Sequence, residues 1–217
     1  MPELRRRFGG MLPGEKLSLS ASGSALPEGV RKDIIKKAEI SQAVVFRGFA
    51  GTDVYNPDRY GLELLSSIFS GLSAPLFTKV RIEMGLAYYI GAYQILGLEP
   101  GAFIFYAGTI PGSTGTVISA FEEEISRARE GEISPEELER NKNRLIGRFQ
   151  FSLQTNGGRA FRSALDELYG LGYDDYFGYE AKSRSLSIAD LSRVSNEYSS
   201  PDNYALVVVE PEGTGKQ

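Results

Sequence analysis

Residues 86–110, LAYYIGAYQILGLEPGAFIFYAGTI, decide the fold. Two aromatic-rich runs, Leu86–Leu96 and Ala102–Ile110, flank Gly97-Leu98-Glu99-Pro100-Gly101, and runs of this kind around a Gly/Pro turn form a β-hairpin. Upstream, Gln42–Ala50 has the β-branched and aromatic content of a strand, and downstream Tyr204–Val209 reads as an interior strand. Lys16-Leu17-Ser18-Leu19-Ser20 alternates as an edge strand does, whereas Ser22–Arg31, with Gly23, Pro27 and Gly29, reads as a loop.

Helices fill the intervals. Asn56-Pro57 supplies an N-cap and a first-turn proline to a helix with Leu62, Leu65, Ile68 and Phe69 on one face, ended by Gly71. A shorter helix over about Pro75–Met84 spaces Leu76, Val80 and Met84 by four residues, and another over Thr114–Arg129 aligns Val117, Ile118, Phe121 and Ile125. Ser134-Pro135-Glu136-Glu137 is a helix start that predicts a helix to about Gln154, broken by Asn156-Gly157-Gly158 and resumed over Arg159–Tyr169. Tyr173–Ser183 adds a helical turn or two, and Ser187-Ile188-Ala189-Asp190 opens a last helix with Leu191, Val194 and Tyr198. Strands and helices segregate, which predicts an α+β fold: a mostly antiparallel sheet with helices packed on one face. The expected organisation is a linker or the remainder of an upstream domain over residues 1–15, one α+β domain over 16–211, and a disordered tail over 212–217.

Composition narrows the chemistry. The 217 residues suffice for a real core, and 41% hydrophobic with 24% charged residues is ordinary for a globular chain. With 24 basic against 28 acidic residues the net charge is −4, which argues against a dedicated nucleic-acid or anionic-membrane binder. There is no His, no Cys and no Trp. Those zeros exclude disulfides and His- or Cys-dependent nucleophilic systems, and they leave zinc without its preferred ligands. No run approaches the roughly 18 apolar residues of a membrane-spanning helix. Arg5-Arg6-Arg7 precedes no apolar stretch and so is no secretory signal, and Gly213-Thr214-Gly215-Lys216 opens no helix that would cradle phosphate. Cytoplasm and periplasm both remain open.

The segment that carries chemistry is Ser70–Tyr88, SGLSAPLFTKVRIEMGLAY. A helix bearing Arg81 and Glu83 stops at Gly85, and a strand starts at Leu86-Ala87-Tyr88. The turn can bring a guanidinium and a phenol toward one spot, donors able to bind a peptide carbonyl or the oxyanion it becomes. The plainer alternative pairs Arg81 with Glu83 or solvent and packs Tyr88 beside Leu86 and Ile90 on one strand face. Other candidates are poorer: Glu122-Glu123-Glu124 and Glu136-Glu137 read as solvated helix faces, and the stripe Lys142, Arg144 and Arg148 reads as intrahelical pairing with Glu139. Tyr169, Tyr173, Tyr176, Phe177 and Tyr179 read as core or interface.

Leu76-Phe77, Val80-Arg81, Glu83 and Gly85-Leu86-Ala87-Tyr88, after a Gly/Ser-rich loop, resemble the second half of the insulinase/pitrilysin zinc peptidases. The resemblance extends over about residues 42–211 and includes Phe103–Thr109, Ile133–Leu138 and the closing strand ending in Pro211. It implies two similar α+β halves facing each other across a chamber. One half carries His-x-x-Glu-His and a distal Glu for zinc, and the other an Arg/Tyr pair that holds the substrate backbone. Arg81 and Tyr88 match that pair. Ala74-Pro75 departs from the family's usual loop residues. The resemblance thus implies a non-metal, substrate-binding half with no cofactor of its own. Its partners would be a peptide substrate and a half bearing the zinc motif, in cis or in trans. A structural or peptide-binding scaffold of the same fold is the alternative, and a stand-alone carboxylate-dependent enzyme is a third, weaker one.

Overall fold

Side chains of a strand alternate between the two faces of its sheet, and here only one face is covered. In the computed structural model, which describes residues 2–12, 14 and 28–212, β4 (Ala102–Thr109) buries Phe103, Phe105 and Ala107 completely, while Ile104 and Tyr106 stay partly exposed. Likewise β2 (Ala43–Ala50) buries Ala43, Val45 and Phe49, and β5 (Tyr204–Pro211) buries Leu206 and Val208. Against that face lie the apolar stripes of α2 (Asp58–Ile68), α4 (Thr114–Arg129), α5 (Pro135–Ser152) and α8 (Ile188–Tyr198). Among the described residues the sheet has five strands in the order β1-β5-β2-β4-β3. The strand β1 (Val30–Lys37) runs parallel to β5, and the remaining pairs, including β3 (Ala87–Ile95) with β4, are antiparallel. The α+β architecture with a mostly antiparallel sheet is the one the sequence predicts.

Local signals account for the element ends. Asn56 Oδ1 accepts the Asp58 N–H at 2.9 Å, Ser134 Oγ accepts the Glu137 N–H at 3.1 Å, and Ser187 and Asp190 form a reciprocal capping box. Three readings need correction. First, β1 was not foreseen: Val30-Arg31-Lys32-Asp33-Ile34-Ile35-Lys36-Lys37 is charged and almost wholly exposed, as suits a sheet edge that must not pair with another chain. The alternating stretch Lys16–Ser20 lies outside the described residues. Second, Asn156-Gly157-Gly158 begins a helix, α6 (Asn156–Leu168), because Thr155 Oγ1 accepts the Gly158 N–H at 3.0 Å. Third, the acidic runs are not uniformly solvated. Glu137 is 7% exposed and, with Glu124, clamps Arg127 at 2.8 and 2.9 Å. Glu122 reaches the buried Arg47 at 2.8 Å, and that guanidinium lies 4.0 Å from the Tyr204 ring centroid. The remaining helices are α1 (Pro2–Phe8), fully exposed, and α7 (Tyr179–Ser185), preceded by a 3-10 turn over Asp175–Gly178. In the foreseen aromatic cluster, Tyr179 is buried and stacks on Phe149 with centroids 4.0 Å apart, whereas Tyr173 and Phe177 are exposed.

Phe105 contacts the rings of Phe49, Phe69, Phe103 and Phe121 at centroid distances of 5.1–6.4 Å. Phe105→Ala is expected to cost about 3–5 kcal/mol, measurable as a shift of the urea unfolding midpoint with little change in slope.

Candidate functional site

The loop after α2 bends at Gly71, whose φ of 105° suits glycine. Ala74 is extended before Pro75, and Pro75 starts a turn of α-helix, α3 (Pro75–Phe77). That turn continues as a π-helix over Thr78–Glu83, a form found mostly as single turns and frequently at functional sites. It closes with Met84 N–H donating to Lys79 O at 3.1 Å and Leu86 N–H to Val80 O at 2.9 Å, the chain reversing at Gly85 with φ 67°. Leu76 and Val80 are fully buried, so the outer side of the helix, with Arg81, is left in solvent. Leu86 O is held by the Ile110 N–H at 3.1 Å and by Thr109 Oγ1 at 2.7 Å.

The strand that follows is irregular at one point. Ala87 pairs with Thr109 and Tyr89 with Gly108, so Tyr88 is the extra residue of a β-bulge. The bulge turns its side chain outward: Tyr88 is 51% exposed, while Ala87 and Ile90 are buried. Arg81 Nη1 donates to the Tyr88 carbonyl, and the guanidinium carbon lies 5.2 Å from the Phe77 ring centroid. The helix and strand are thus joined through Arg81 and the backbone of Tyr88, with the phenol in solvent. No ion pair joins Arg81 to Glu83 among the described residues; Arg81 is exposed to solvent, as one form of the plainer alternative expects. Two donor groups, the remaining guanidinium N–H bonds and the phenol O–H, face solvent beside the free edge of the sheet.

That edge belongs to β3, and it is partly closed. Ser70 Oγ both donates to the Ala92 carbonyl and accepts the Ala92 N–H, each at 2.8 Å. On the helix-free face, Tyr89 opposes Gly108 and Gly91 opposes Tyr106. A side chain at Gly108 would meet the Tyr89 ring at 2.4 Å, so glycine is what lets that ring lie flat across the sheet. Tyr106 contacts Tyr89 and Tyr93 at centroid distances of 6.1 and 5.5 Å. The sequence reading missed this tyrosine array. The signal was present as Tyr-x-Gly on both hairpin strands, Tyr89/Gly91 and Tyr106/Gly108.

The model of the peptidase M16 inactive domain matches residues 4–145. The chain belongs to that family. Among curated relatives it is 27% identical over 196 residues to the uncharacterized zinc protease YmxG of Bacillus subtilis, an alignment covering 89% of this chain and 47% of that protein. Among solved structures it resembles a protease from Helicobacter pylori, with a TM-score of 0.82 at 20% identity over 95% of this chain and 50% of that one. It also resembles the peptidase M16 inactive domain from Pseudomonas fluorescens, with a TM-score of 0.78 at 19% identity over 89% of this chain and 46% of that one. The chain spans about half the length of these relatives.

The donor set of this M16 inactive domain does not suit zinc. The sequence holds no His or Cys, and no group of three Asp or Glu side chains among the described residues could hold a metal ion. No helix among the described residues is long and apolar enough to cross a membrane. Of the basic stripe on α5, Lys142 does bond Glu139 at 2.8 Å, but Arg144 and Arg148 form no ion pair with a carboxylate among the described residues. Nearby, burial raises the Glu63 carboxyl above the usual carboxylate range, against smaller opposing effects of the Tyr179 hydroxyl and of Arg162, Arg148 and Arg59.

Two expectations follow. Gly85→Ala places a side chain at positive φ and should cost about 1–2 kcal/mol, with amide shifts concentrated at Arg81 and Tyr88 in an NMR comparison. For Glu63, a folded-state pKa above the unfolded one means that stability falls as pH rises through the folded value. Glu63→Gln should therefore raise the melting midpoint near about pH 8 and leave it unchanged near about pH 4, where the unfolded carboxyl is also largely protonated. Thermal melts at both pH values check this.

Proposed function

We propose that this domain is the substrate-binding, non-metal half of a two-part zinc endopeptidase. Zinc and its ligands would reside in a partner half bearing His-x-x-Glu-His, either a separate chain or another domain of the same one. The observation that carries the reading is the pair of donors beside a free sheet edge: Arg81 on an exposed π-helical turn and Tyr88 on an outward bulge, seven residues apart in sequence. A peptide lying extended would add a strand along the start of β3, where alternation turns the Ile90 backbone groups to the edge. The ladder would stop at Ala92, whose N–H and carbonyl already bond Ser70. Arg81 and Tyr88 then donate hydrogen bonds to the substrate backbone, to the carbonyl under attack or its neighbour. Neither side chain is consumed, and both can stabilise charge as it builds on oxygen. The tyrosine array of Tyr89, Tyr93 and Tyr106 offers the peptide an aromatic wall on the helix-free face.

A scaffold reading draws on a different observation. Arg81 already serves a structural purpose, tying the π-helical turn to the Tyr88 carbonyl. One experiment separates the two. The chain, assembled with its zinc-bearing half, is assayed on a quenched peptide with Arg81→Ala and Tyr88→Phe. Each variant is expected to lower turnover about 10²–10³-fold with bound zinc unchanged. Full turnover in both variants would leave the scaffold reading standing.

A further inference from the structure

On α5, Arg144 and Arg148 sit four residues apart, which makes them neighbours on one helix face, and like charges so placed repel. Several arginines of this protein meet a carboxylate: Arg162 meets Asp166 at 3.1 Å, Arg59 meets Asp175 at 3.0 Å, and Arg193 meets Asp58 at 2.6 Å. Among the described residues Arg144 and Arg148 do not. Arg144 donates only to uncharged acceptors, the Ser67 hydroxyl at 2.7 Å and the Ser67 and Ser70 carbonyls. Burial, then the positive charges of Arg148 and Arg140, push the Arg144 guanidinium below its ordinary range. Arg148 makes no hydrogen bond or ion pair among the described residues.

Both arginines line a cavity of about 500 Å³ between the end of α2, the middle of β3, α5 and α7. That volume suits a small ligand. Glu63 is the one acid in its lining. Its carboxyl lies against the buried Tyr179 phenol and is held toward its neutral form, so it is a poor counter-ion for two guanidinium groups. Apolar side chains share the lining: Leu145 and Phe149, each next to one of the arginines on α5, and Ala92 and Leu96 from the β3 side. Two guanidinium groups without an ion pair among the described residues, beside apolar lining, are complementary to a carboxylate on an apolar body.

We propose that this cavity binds the free C-terminus of a short peptide, its α-carboxylate between Arg144 and Arg148 and its last side chain against Leu145 and Phe149. The peptide identity of the ligand rests on the substrate-binding reading; the carboxylate chemistry does not. Position agrees with it. Ser70 and Ala92, where the β3 edge closes, line the cavity, and the four residues from Tyr88 to Ala92 span about 13 Å of strand. A peptide held at Tyr88 and leaving the edge at Ser70 would bring a terminus a few residues away to the cavity mouth.

The test is titration of the isolated chain with N-acetyl-Ala-Phe, with its C-terminal amide, with 3-phenylpropionate and with inorganic phosphate, followed by NMR. The free-acid peptide is expected to bind about tenfold tighter than the amide, to shift resonances of Phe149 and Tyr179, and to weaken about tenfold in Arg148→Gln. That variant removes an exposed side chain with no bonds, so its folding is not at issue. Equal binding of acid and amide, or no effect of Arg148→Gln, overturns the site. Equal binding of 3-phenylpropionate or phosphate overturns the peptide terminus as its ligand. No zinc-bearing half is needed, so failure of the Arg81 and Tyr88 assignment would leave this readout intact.

Discussion

Everything near the candidate site is located by the packing of aromatic rings around Phe105. That side chain, fully buried on β4, is touched by Phe49 from β2, Phe103 from its own strand, Phe121 from α4 and Phe69 at the end of α2. Phe69 is the consequential member. Sequestered beneath the sheet, it fixes where α2 ends, and the next residue, Ser70, is thereby brought to the β3 edge to bond both backbone groups of Ala92. Arg144 holds the same corner from α5 through the Ser67 and Ser70 carbonyls. The loop that leads to Arg81 therefore starts from an anchored point, and its far end is anchored again where Thr109 and Ile110 hold the Leu86 carbonyl. Between two fixed ends, the wide π turn and the bulge take up the slack in opposite senses, leaving Arg81 and Tyr88 exposed on adjoining elements.

What was legible in the sequence followed from local chemistry. The hairpin over residues 86–110, the N-caps at Ser134 and Ser187, and the apolar faces of α2, α4 and α8 each depend on residues within a few positions of one another and took the form expected, whereas Met84, read onto the face of Leu76 and Val80, is exposed at the end of the π turn. The parallel strand Val30–Lys37 did not, since its place is set by pairing with Tyr204–Pro211, a contact with no local signature, and its exposure removes the hydrophobic alternation by which strands are recognised. The same reasoning explains Glu137 and Arg47. Each lies in a stretch that reads as an ordinary helix face or strand, and each is buried because a partner distant in sequence, Arg127 or Glu122, comes to meet it. Arg81 and Tyr88 could be singled out because the motif around them is contiguous; the bulge that exposes Tyr88 could not, because it is a property of register with β4.

The tyrosines of the helix-free face show how a bare sheet surface is kept from being merely greasy. Each Tyr-Gly pair spreads a ring across a position with no side chain, which covers backbone on both strands. The other edge, β1, is defended by charge, with Arg31, Lys32, Lys36 and Lys37 along it. The β3 edge has a different defence, one serine and one arginine that occupy selected backbone groups. Charges on β1 repel any approaching strand, whereas hydrogen bonds at two points on β3 exclude pairing only beyond those points. An edge closed in this partial way is compatible with a short added strand and incompatible with a long one.

That distinction bears on how such a half could contribute to hydrolysis without a metal ligand of its own. Hydrogen-bond donors that are not consumed impose no buried charge on the domain that carries them. Arg81 and Tyr88 sit in solvent on the outer side of a well-packed turn. Arg144, Arg148 and Glu63 lie elsewhere, in a cavity behind the same edge. Arg144 ties α5 to the end of α2 through neutral acceptors, and Arg148 stands four residues further on the same face, where like charges repel. The charge pattern is accounted for if an anion from outside the chain completes it.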